Sequence, residues 1–129
     1  MDVSEELSSF WKEWHLSTLT SLRANGLPHV VPVGVMVDEK LELARVICSR
    51  SSVKAHNVKL AGESGATVAV SQVDRGRWST LEGIAIIKED EASVREAENR
   101  YAERYGRQPA PNPERIVIEI SVKRRLGMR

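Results

Sequence analysis

The chain has 129 residues, of which 19 are Lys or Arg and 18 are Asp or Glu, so its formal net charge at pH 7 is +1. This length predicts one domain, residues 1–129, and the near-neutral charge excludes the basic excess typical of nucleic-acid-binding proteins. The lone Cys48 excludes an internal disulfide, and without a long apolar run we expect neither a signal peptide nor a membrane span, and therefore a cytoplasmic protein.

The N-terminal third of the chain predicts a helix followed by a hairpin. Residues 4–15 carry apolar side chains at helical spacing, and this stripe is expected to lie on the core: Leu7, Phe10, Trp11 and Trp14. Strands at 16–22 and 28–37 are joined by an Asn-Gly turn. The second strand is apolar on both faces, which favours a barrel wall with the core on one side and a second subunit on the other.

The remainder predicts four strands and two helices. The strands are 41–47, 66–73, 77–88 with a bulge at Gly83, and 116–122; the helices are 53–60 and an amphipathic segment that starts at Asp90 and stops at Gly106. Residues 108–113 contain three prolines and predict an extended connector. Because hairpin-like turns join most of the six strands, the pattern favours a mainly antiparallel barrel over a doubly wound sheet.

One segment of the chain, residues 43–62, contains no Asp or Glu. It carries four cations and three hydroxyl groups: Arg45, Arg50, Lys54 and Lys59, with Ser49, Ser51 and Ser52. Ser51 or Ser52 is the natural N-cap of the following helix, whose unpaired N–H groups attract anions. A solvated loop has a similar composition, but the absence of acids favours a phosphate-binding site that uses Arg50 and Lys54.

Familiar catalytic and metal-binding motifs are absent. The chain has no Gly-x-Gly-x-x-Gly and no P-loop, and its three histidines lack the spacing of metal ligands. Cys48 and His56 are formal candidates for a nucleophile and its base, but a small Cys at a strand end more often packs in the core. We therefore expect no metal and chemistry carried by a cofactor, and no residue stands out as the general acid.

Four stretches of the sequence resemble the split β-barrel flavin and deazaflavin oxidoreductases, the group that includes pyridoxamine 5′-phosphate oxidase: residues 16–35, 44–57, 71–83 and 97–126. The similarity is greatest to the F420-dependent biliverdin reductase branch. Its Arg-Trp-x-x-Leu-Glu-Gly and Tyr-Ala-x-Arg-Tyr segments match residues 77–83 and 101–105. The resemblance implies a mainly β (α+β) fold, a six-stranded antiparallel split β-barrel with flanking helices, that forms a homodimer.

The resemblance also implies a cofactor site in the groove between two subunits. The positions that match the family's phosphate loop are Ser49, Arg50, Ser51 and Lys54, and the Arg-Trp-Ser segment, Arg77, Trp78 and Ser79, is expected to reach the groove from the opposite chain. Coenzyme F420 has several anionic groups that Arg45 and Lys59 also suit, whereas FMN has only a terminal phosphate. The expected function is hydride transfer from reduced F420 to a conjugated acceptor, with biliverdin as the leading substrate.

Three other functions stay open at the level of the sequence. An FMN-dependent oxidoreductase has the same fold, and a non-catalytic F420 or flavin carrier needs the same anion-binding loop. A haem-binding barrel requires an axial ligand such as His29 or His56.

Overall fold

The computed structural model describes residues 2–129, and in this range it contains seven β-strands, three α-helices and one short 3-10 turn. The strands are β1 (Ser17–Leu22), β2 (Pro28–Val33), β3 (Met36–Val37), β4 (Leu43–Ser49), β5 (Ala66–Asp74), β6 (Arg77–Lys88) and β7 (Arg115–Gly127). The helices are α1 (Glu5–Phe10), α2 (Val53–Leu60) and α3 (Glu91–Tyr105), and the 3-10 turn is Gly62–Ser64.

The strands form one antiparallel sheet in the order β2-β1-β5-β6-β7-β4-β3. β2 and β3 follow each other in the chain yet lie at opposite edges of this sheet. Only Gly34 and Val35 join them, and a link of two residues spans at most about 10 Å. The sheet must therefore curl into a half-barrel whose edges meet at this link, which we call the seam.

The seam explains why seven strands are present where the sequence predicts six. The predicted strand 28–37 is divided into β2 and β3 at Val35, whose backbone groups are bound by side chains of α3. The N–H of Val35 donates to the Tyr105 hydroxyl at 3.2 Å, and its carbonyl accepts from the Arg104 guanidinium. Since these groups are occupied, Val35 makes no ladder hydrogen bonds, and the strand ends there.

The core fills the inside of the curled sheet. Alternate residues of β4 to β7 point inward and are buried, among them Val46, Val68, Val70, Leu81, Ile116, Ile118 and Ile120. At Gly83 the pairing of β6 with β7 shifts by one residue, as the sequence predicts. A Cβ atom at Gly83 would overlap the Ser121 carbonyl and lie 2.9 Å from Ile120 Cγ2, so glycine is required for the close approach.

The N-terminal helix is shorter than the sequence predicts. α1 ends at Phe10, and Trp14, expected on the core, is 62% exposed and contacts Tyr105 edge-on with ring centroids 5.5 Å apart. The predicted continuation fails because Gln72 Nε2 donates at 2.8 Å to the Phe10 carbonyl, which a longer helix would use as the acceptor for residue 14. Arg104 also binds the Glu13 carbonyl from two nitrogens, at 2.9 and 3.1 Å. The predicted bounds of α2, the Asp90 cap of α3 and its end at Gly106 are confirmed. Within residues 2–129, no helix combines the length and apolar character needed to cross a bilayer.

Candidate functional site

A groove of about 520 Å³ lies beside the seam. Its walls come from the end of β2, from β4, from the start of α2, from the last turns of α3 and from the connector that follows α3. Three of the described lining residues are cations, Lys54, Arg107 and Arg115, and none of them is acidic. Such a lining favours an anionic ligand.

The polar loop at 49–52 places Lys54 in this groove. β4 ends at Ser49, and Ser52 caps α2 by accepting a hydrogen bond from the N–H of Ala55 at 3.3 Å. Of the two caps that the sequence allows, the structure uses Ser52, while Ser51 is exposed in the turn. Lys54 lies in the first turn of α2, beside its unpaired N–H groups, and forms no ion pair within residues 2–129. It is therefore a free cation at the positive end of a helix.

Arg50 and Lys59 are not free cations, although their sequence segment lacks acids. Arg50 binds Glu89 at 3.2 Å and Glu114 at 3.1 Å, and Lys59 lies 3.6 Å from Glu89. Residues distant in sequence thus supply the carboxylates that the segment lacks. The arrangement fastens the loop to the two neighbouring chain segments and leaves Lys54 as the principal cation of the loop.

Ser49 is also tied to the connector after α3. Its hydroxyl accepts a hydrogen bond from the Asn112 amide at 2.9 Å. This bond joins the wall that carries Lys54 to the wall formed by residues 107–110. Ser49 is not among the described residues that line the groove; it links β4 to the connector and still has one free lone pair and its hydroxyl proton.

Cys48, at the end of β4, is not an activated nucleophile. Its side chain is buried, and burial raises the pKa of the thiol above its ordinary value. His56 lies on the exposed side of α2. Because the thiolate is the reactive form, a raised pKa opposes nucleophilic catalysis.

Aromatic side chains of α3 form the wall next to the seam. Tyr101 lines the groove, and its ring centroid lies 4.9 Å from that of Tyr105. Tyr105 donates to the His15 carbonyl at 2.9 Å and accepts from Val35, and burial raises the pKa of its phenol. A Cβ at Gly34 would lie 3.3 Å from Tyr101 and 3.1 Å from Tyr105, so both rings rest directly on the glycine backbone.

We expect Gly34→Ala to lower the free energy of unfolding by about 1 kcal/mol, because the added methyl group must displace two packed rings. Urea unfolding followed by circular dichroism measures this change. Gly76→Ala is the matched control, since a Cβ there meets no atom within 4 Å. Equal stability of the two variants would mean that the tyrosines do not depend on the glycine.

Arg77, predicted for the cofactor site, belongs to an ion cluster outside the groove lining. Its guanidinium binds both oxygens of Glu13, at 2.8 and 2.9 Å, and also binds Asp74. His15 Nε2 lies 2.9 Å from Glu13, so Glu13, His15 and Asp74 present ligand atoms to one another within 4.8 Å. Because Arg77 already supplies a positive charge to these side chains, the arrangement is an ion-pair cluster.

This cluster predicts a pH dependence of stability. Hydrogen bonds from Arg77 and then from His15 lower the pKa of Glu13 from 4.5 to about 2. Because the folded pKa is depressed, the stabilisation is complete above the unfolded pKa and is lost as the pH falls from 4.5 to 2. Glu13→Gln is expected to show a smaller loss of stability over that range than the wild type.

Urea midpoints measured at pH 7, 4.5, 3 and 2 test this dependence. Glu63→Gln, which removes an exposed carboxyl outside the cluster, is the control and should follow the wild type. Parallel curves for wild type and Glu13→Gln would contradict the assignment.

Trp78 and Ser79 have opposite environments. Trp78 is 45% exposed on the outer face of β6, whereas Ser79 is fully buried and accepts a hydrogen bond from Trp11 Nε1 at 3.0 Å. Ser79 therefore has no surface for a ligand in the single chain. Neither residue lines the groove beside Lys54 within one chain.

Of the described residues that line the groove, Lys54 alone is among the site residues expected from the sequence; Gly34, Tyr101 and Arg107 are three lining residues that were not predicted from the sequence. Tyr101 belongs to a helical stripe that reads as core packing, and Gly34 is a single glycine in a valine-rich run. The one signal in the sequence is that glycine, because a glycine inside a strand marks a close approach. Arg107 gives no local signal.

Comparison with known proteins places the chain in a family. The family model described as pyridoxamine 5′-phosphate oxidase matches residues 3–128. Over 125 residues the chain is 50% identical to the F420H(2)-dependent biliverdin reductase of Mycobacterium tuberculosis (strain CDC 1551 / Oshkosh), an alignment that covers 97% of this chain and 88% of that protein.

Solved structures share the fold. A conserved hypothetical protein from Mycobacterium tuberculosis superposes with a TM-score of 0.79 at 20% identity, covering 97% of this chain and 84% of the other. A protein described as F420 reductase gives a TM-score of 0.72 at 22% identity, covering 96% and 98%. The split-barrel family predicted from the sequence is thereby confirmed: the chain belongs to the pyridoxamine 5′-phosphate oxidase family.

Proposed function

We propose that this chain is an F420-dependent oxidoreductase that transfers a hydride from the reduced cofactor to biliverdin. The observation that carries the proposal is the acid-free groove with Lys54 at the start of α2. The 50% identity to a biliverdin reductase that uses F420H(2) supports both the cofactor and the substrate. A cytoplasmic location stays a prediction from the sequence.

The groove suits the anionic part of this cofactor. F420 carries a phosphodiester, a lactyl carboxylate and glutamates. The groups that would hold a phosphate at the start of α2 are the first N–H groups of the helix, the Ser51 hydroxyl and the Lys54 ammonium. FMN has only a terminal phosphate to place there. A groove with more than one cation therefore favours the deazaflavin over FMN.

In the proposed reaction the residues of this chain position the reactants and supply positive charge. The reduced cofactor supplies the hydride. Gly34 and Tyr101 give a close, flat wall at the seam, and Arg104 and Tyr105 immobilise that wall through the backbone of Val35. No carboxyl or imidazole group is among the described residues that line the groove in the single chain.

A second copy of this single-domain chain completes the site in our proposal. The outer face of β2, β1, β5 and β6 carries exposed apolar side chains among Thr and Ser residues: Val30 is 56%, Val73 is 67% and Trp78 is 45% exposed. Patches of this kind mark protein interfaces. Pro32 belongs both to this face and to the groove, so a partner bound to the face would bring its own Trp78 towards a groove of this chain.

Sedimentation equilibrium tests the dimer. We expect a mass of twice the 14.4 kDa of the chain, and we expect Val30→Glu to shift the protein towards a monomer because it places a charge on the apolar face. Leu60→Glu, an exposed position on α2, should leave the mass unchanged. A monomeric wild type would contradict the shared site.

Anaerobic turnover tests the reaction. Purified protein, reduced F420 and biliverdin are mixed, and the loss of the long-wavelength absorbance of biliverdin is followed together with the reappearance of oxidised F420. We expect the two changes in equal amounts. Tight cofactor binding with no oxidation of F420 would favour a carrier, and a preparation that is yellow with bound FMN would favour the FMN-dependent alternative.

A further inference from the structure

The cations that line the groove differ in whether other residues of the protein already bind them. Lys54, Arg107 and Arg115 line it, but Arg115 is committed to the protein itself. Its guanidinium binds Glu98 at 2.7 Å and donates to the Ala110 carbonyl, and its side chain is only 10% exposed. Arg115 therefore holds the connector in place as a wall of the groove and has little charge to offer a ligand.

Arg107, by contrast, is exposed and unpaired. It follows Gly106, whose left-handed conformation ends α3, and it forms no ion pair or side-chain hydrogen bond with any residue from 2 to 129. Its backbone belongs to the connector that Arg115 and Asn112 fix against the rest of the groove. The Arg107 cation therefore belongs to a segment whose position is fixed by hydrogen bonds.

Two unpaired cations consequently border one groove from different elements, Lys54 from α2 and Arg107 from the connector. No carboxylate of the described lining separates or neutralises them. Like charges beside a shared groove repel each other, and a ligand with more than one negative charge removes that repulsion. A single phosphate at Lys54 leaves Arg107 without a partner.

We infer that Arg107 forms a second anion subsite, which binds the carboxylates of an acidic, glutamate-bearing tail while Lys54 binds the phosphate. This inference rests on the proposed function and changes the expectation from the sequence, in which Arg45, Arg50, Lys54 and Lys59 line the path of the tail. Arg50 and Lys59 are engaged by Glu89, and Arg45, on β4, is not among the described residues that line the groove. The tail therefore leaves the groove along the connector after α3.

The test compares two forms of F420, one without glutamate and one with several glutamates. Dissociation constants are measured by fluorescence for the wild type, Arg107→Gln, Lys54→Gln and the control Lys123→Gln, an exposed cation on β7 that does not line the groove. We expect Arg107→Gln to weaken the glutamylated form by about threefold to tenfold and to leave the glutamate-free form unchanged. Lys54→Gln should weaken both forms, and Lys123→Gln neither.

Salt provides a second readout. The affinity of the wild type for the glutamylated form should fall more steeply with ionic strength than that of Arg107→Gln, because one screened charge pair is missing in the variant. Wild-type binding of both forms with no selective loss in Arg107→Gln would overturn the second subsite and leave the proposed function intact. Failure of the wild type to bind either form would overturn both.

Discussion

Replacing Arg104 by Met is expected to lower the free energy of unfolding by about 3 kcal/mol, the largest effect we predict for a single substitution. Arg104 donates to the carbonyls of Glu13 and Val35 and to the side chain of Gln72 at 2.6 Å. The two carbonyls lose their side-chain donors in the variant, at about 1 to 3 kcal/mol each where water does not replace them. Gln72 keeps the hydroxyl of Ser17 as a donor at 3.1 Å.

Burial lowers the pKa of the Arg104 guanidinium. Since it has no ion pair with a carboxylate within residues 2–129, its contribution comes from the bonds to the two carbonyls and to Gln72. Urea unfolding followed by circular dichroism measures the loss. Arg100→Met is the matched control on the same helix, because Arg100 forms only exposed ion pairs with Glu96 and Glu103. Equal stability of the two variants would contradict the role of Arg104 at the seam, and Arg104→Lys provides a milder substitution if the Met variant does not fold.

Lys54→Ala is expected to weaken F420 binding by about 1.5 to 3 kcal/mol, or roughly 10- to 150-fold, which is the usual contribution of a hydrogen bond to a charged group. Lys54 is the cation that lies at the start of α2, inside the groove and without an ion pair in residues 2–129. The folding stability should change by less than about 0.5 kcal/mol, since the side chain is only partly buried and supports no neighbour.

Lys59→Ala is the control for Lys54→Ala. The two residues share α2, but Lys59 faces Glu89 and lies outside the groove. Fluorescence titration of both variants with F420 separates a local contact from a general effect of charge. An unchanged affinity in Lys54→Ala would place the phosphate elsewhere, and equal losses in both variants would indicate long-range electrostatics alone.

Much of the fold follows from local patterns in the sequence. The alternation of Ile116, Ile118 and Ile120 predicts a strand with one buried face, and these three side chains are fully buried. Asp90 and Gly106 bound α3 because a cap and a left-handed glycine are local signals. Such features depend on neighbours within a few residues, and a sequence contains that information directly.

The seam depends on contacts between distant segments. Whether the segment 28–37 forms one strand or two is decided by Arg104 and Tyr105, about 70 residues away in the chain. The early end of α1 likewise depends on distant residues, Gln72 at the Phe10 carbonyl and Arg104 at the Glu13 carbonyl. The residue pattern within either segment contains no information about hydrogen bonds from distant residues. The division of 28–37 and the end of α1 were therefore both predicted wrongly.

Among the residues that the sequence predicts for the site, Lys54 lines the groove, whereas the charges around it were not predictable. Lys54 was found because a polar loop before a helix is a local motif. The neutralisation of Arg50 by Glu89 and Glu114 was not visible, since an acid-free segment of sequence need not be an acid-free region of space. Arg107 was missed for the complementary reason: it reaches the groove only through the path of the connector.

Equilibrium binding of F420 and FMN to one preparation of the protein shows which cofactor the groove selects. We expect saturable binding of F420 at one site per chain, with an affinity at least about tenfold higher than that for FMN, because F420 offers anions to both Lys54 and Arg107. Tighter binding of FMN, or no saturable binding of F420, would contradict this expectation.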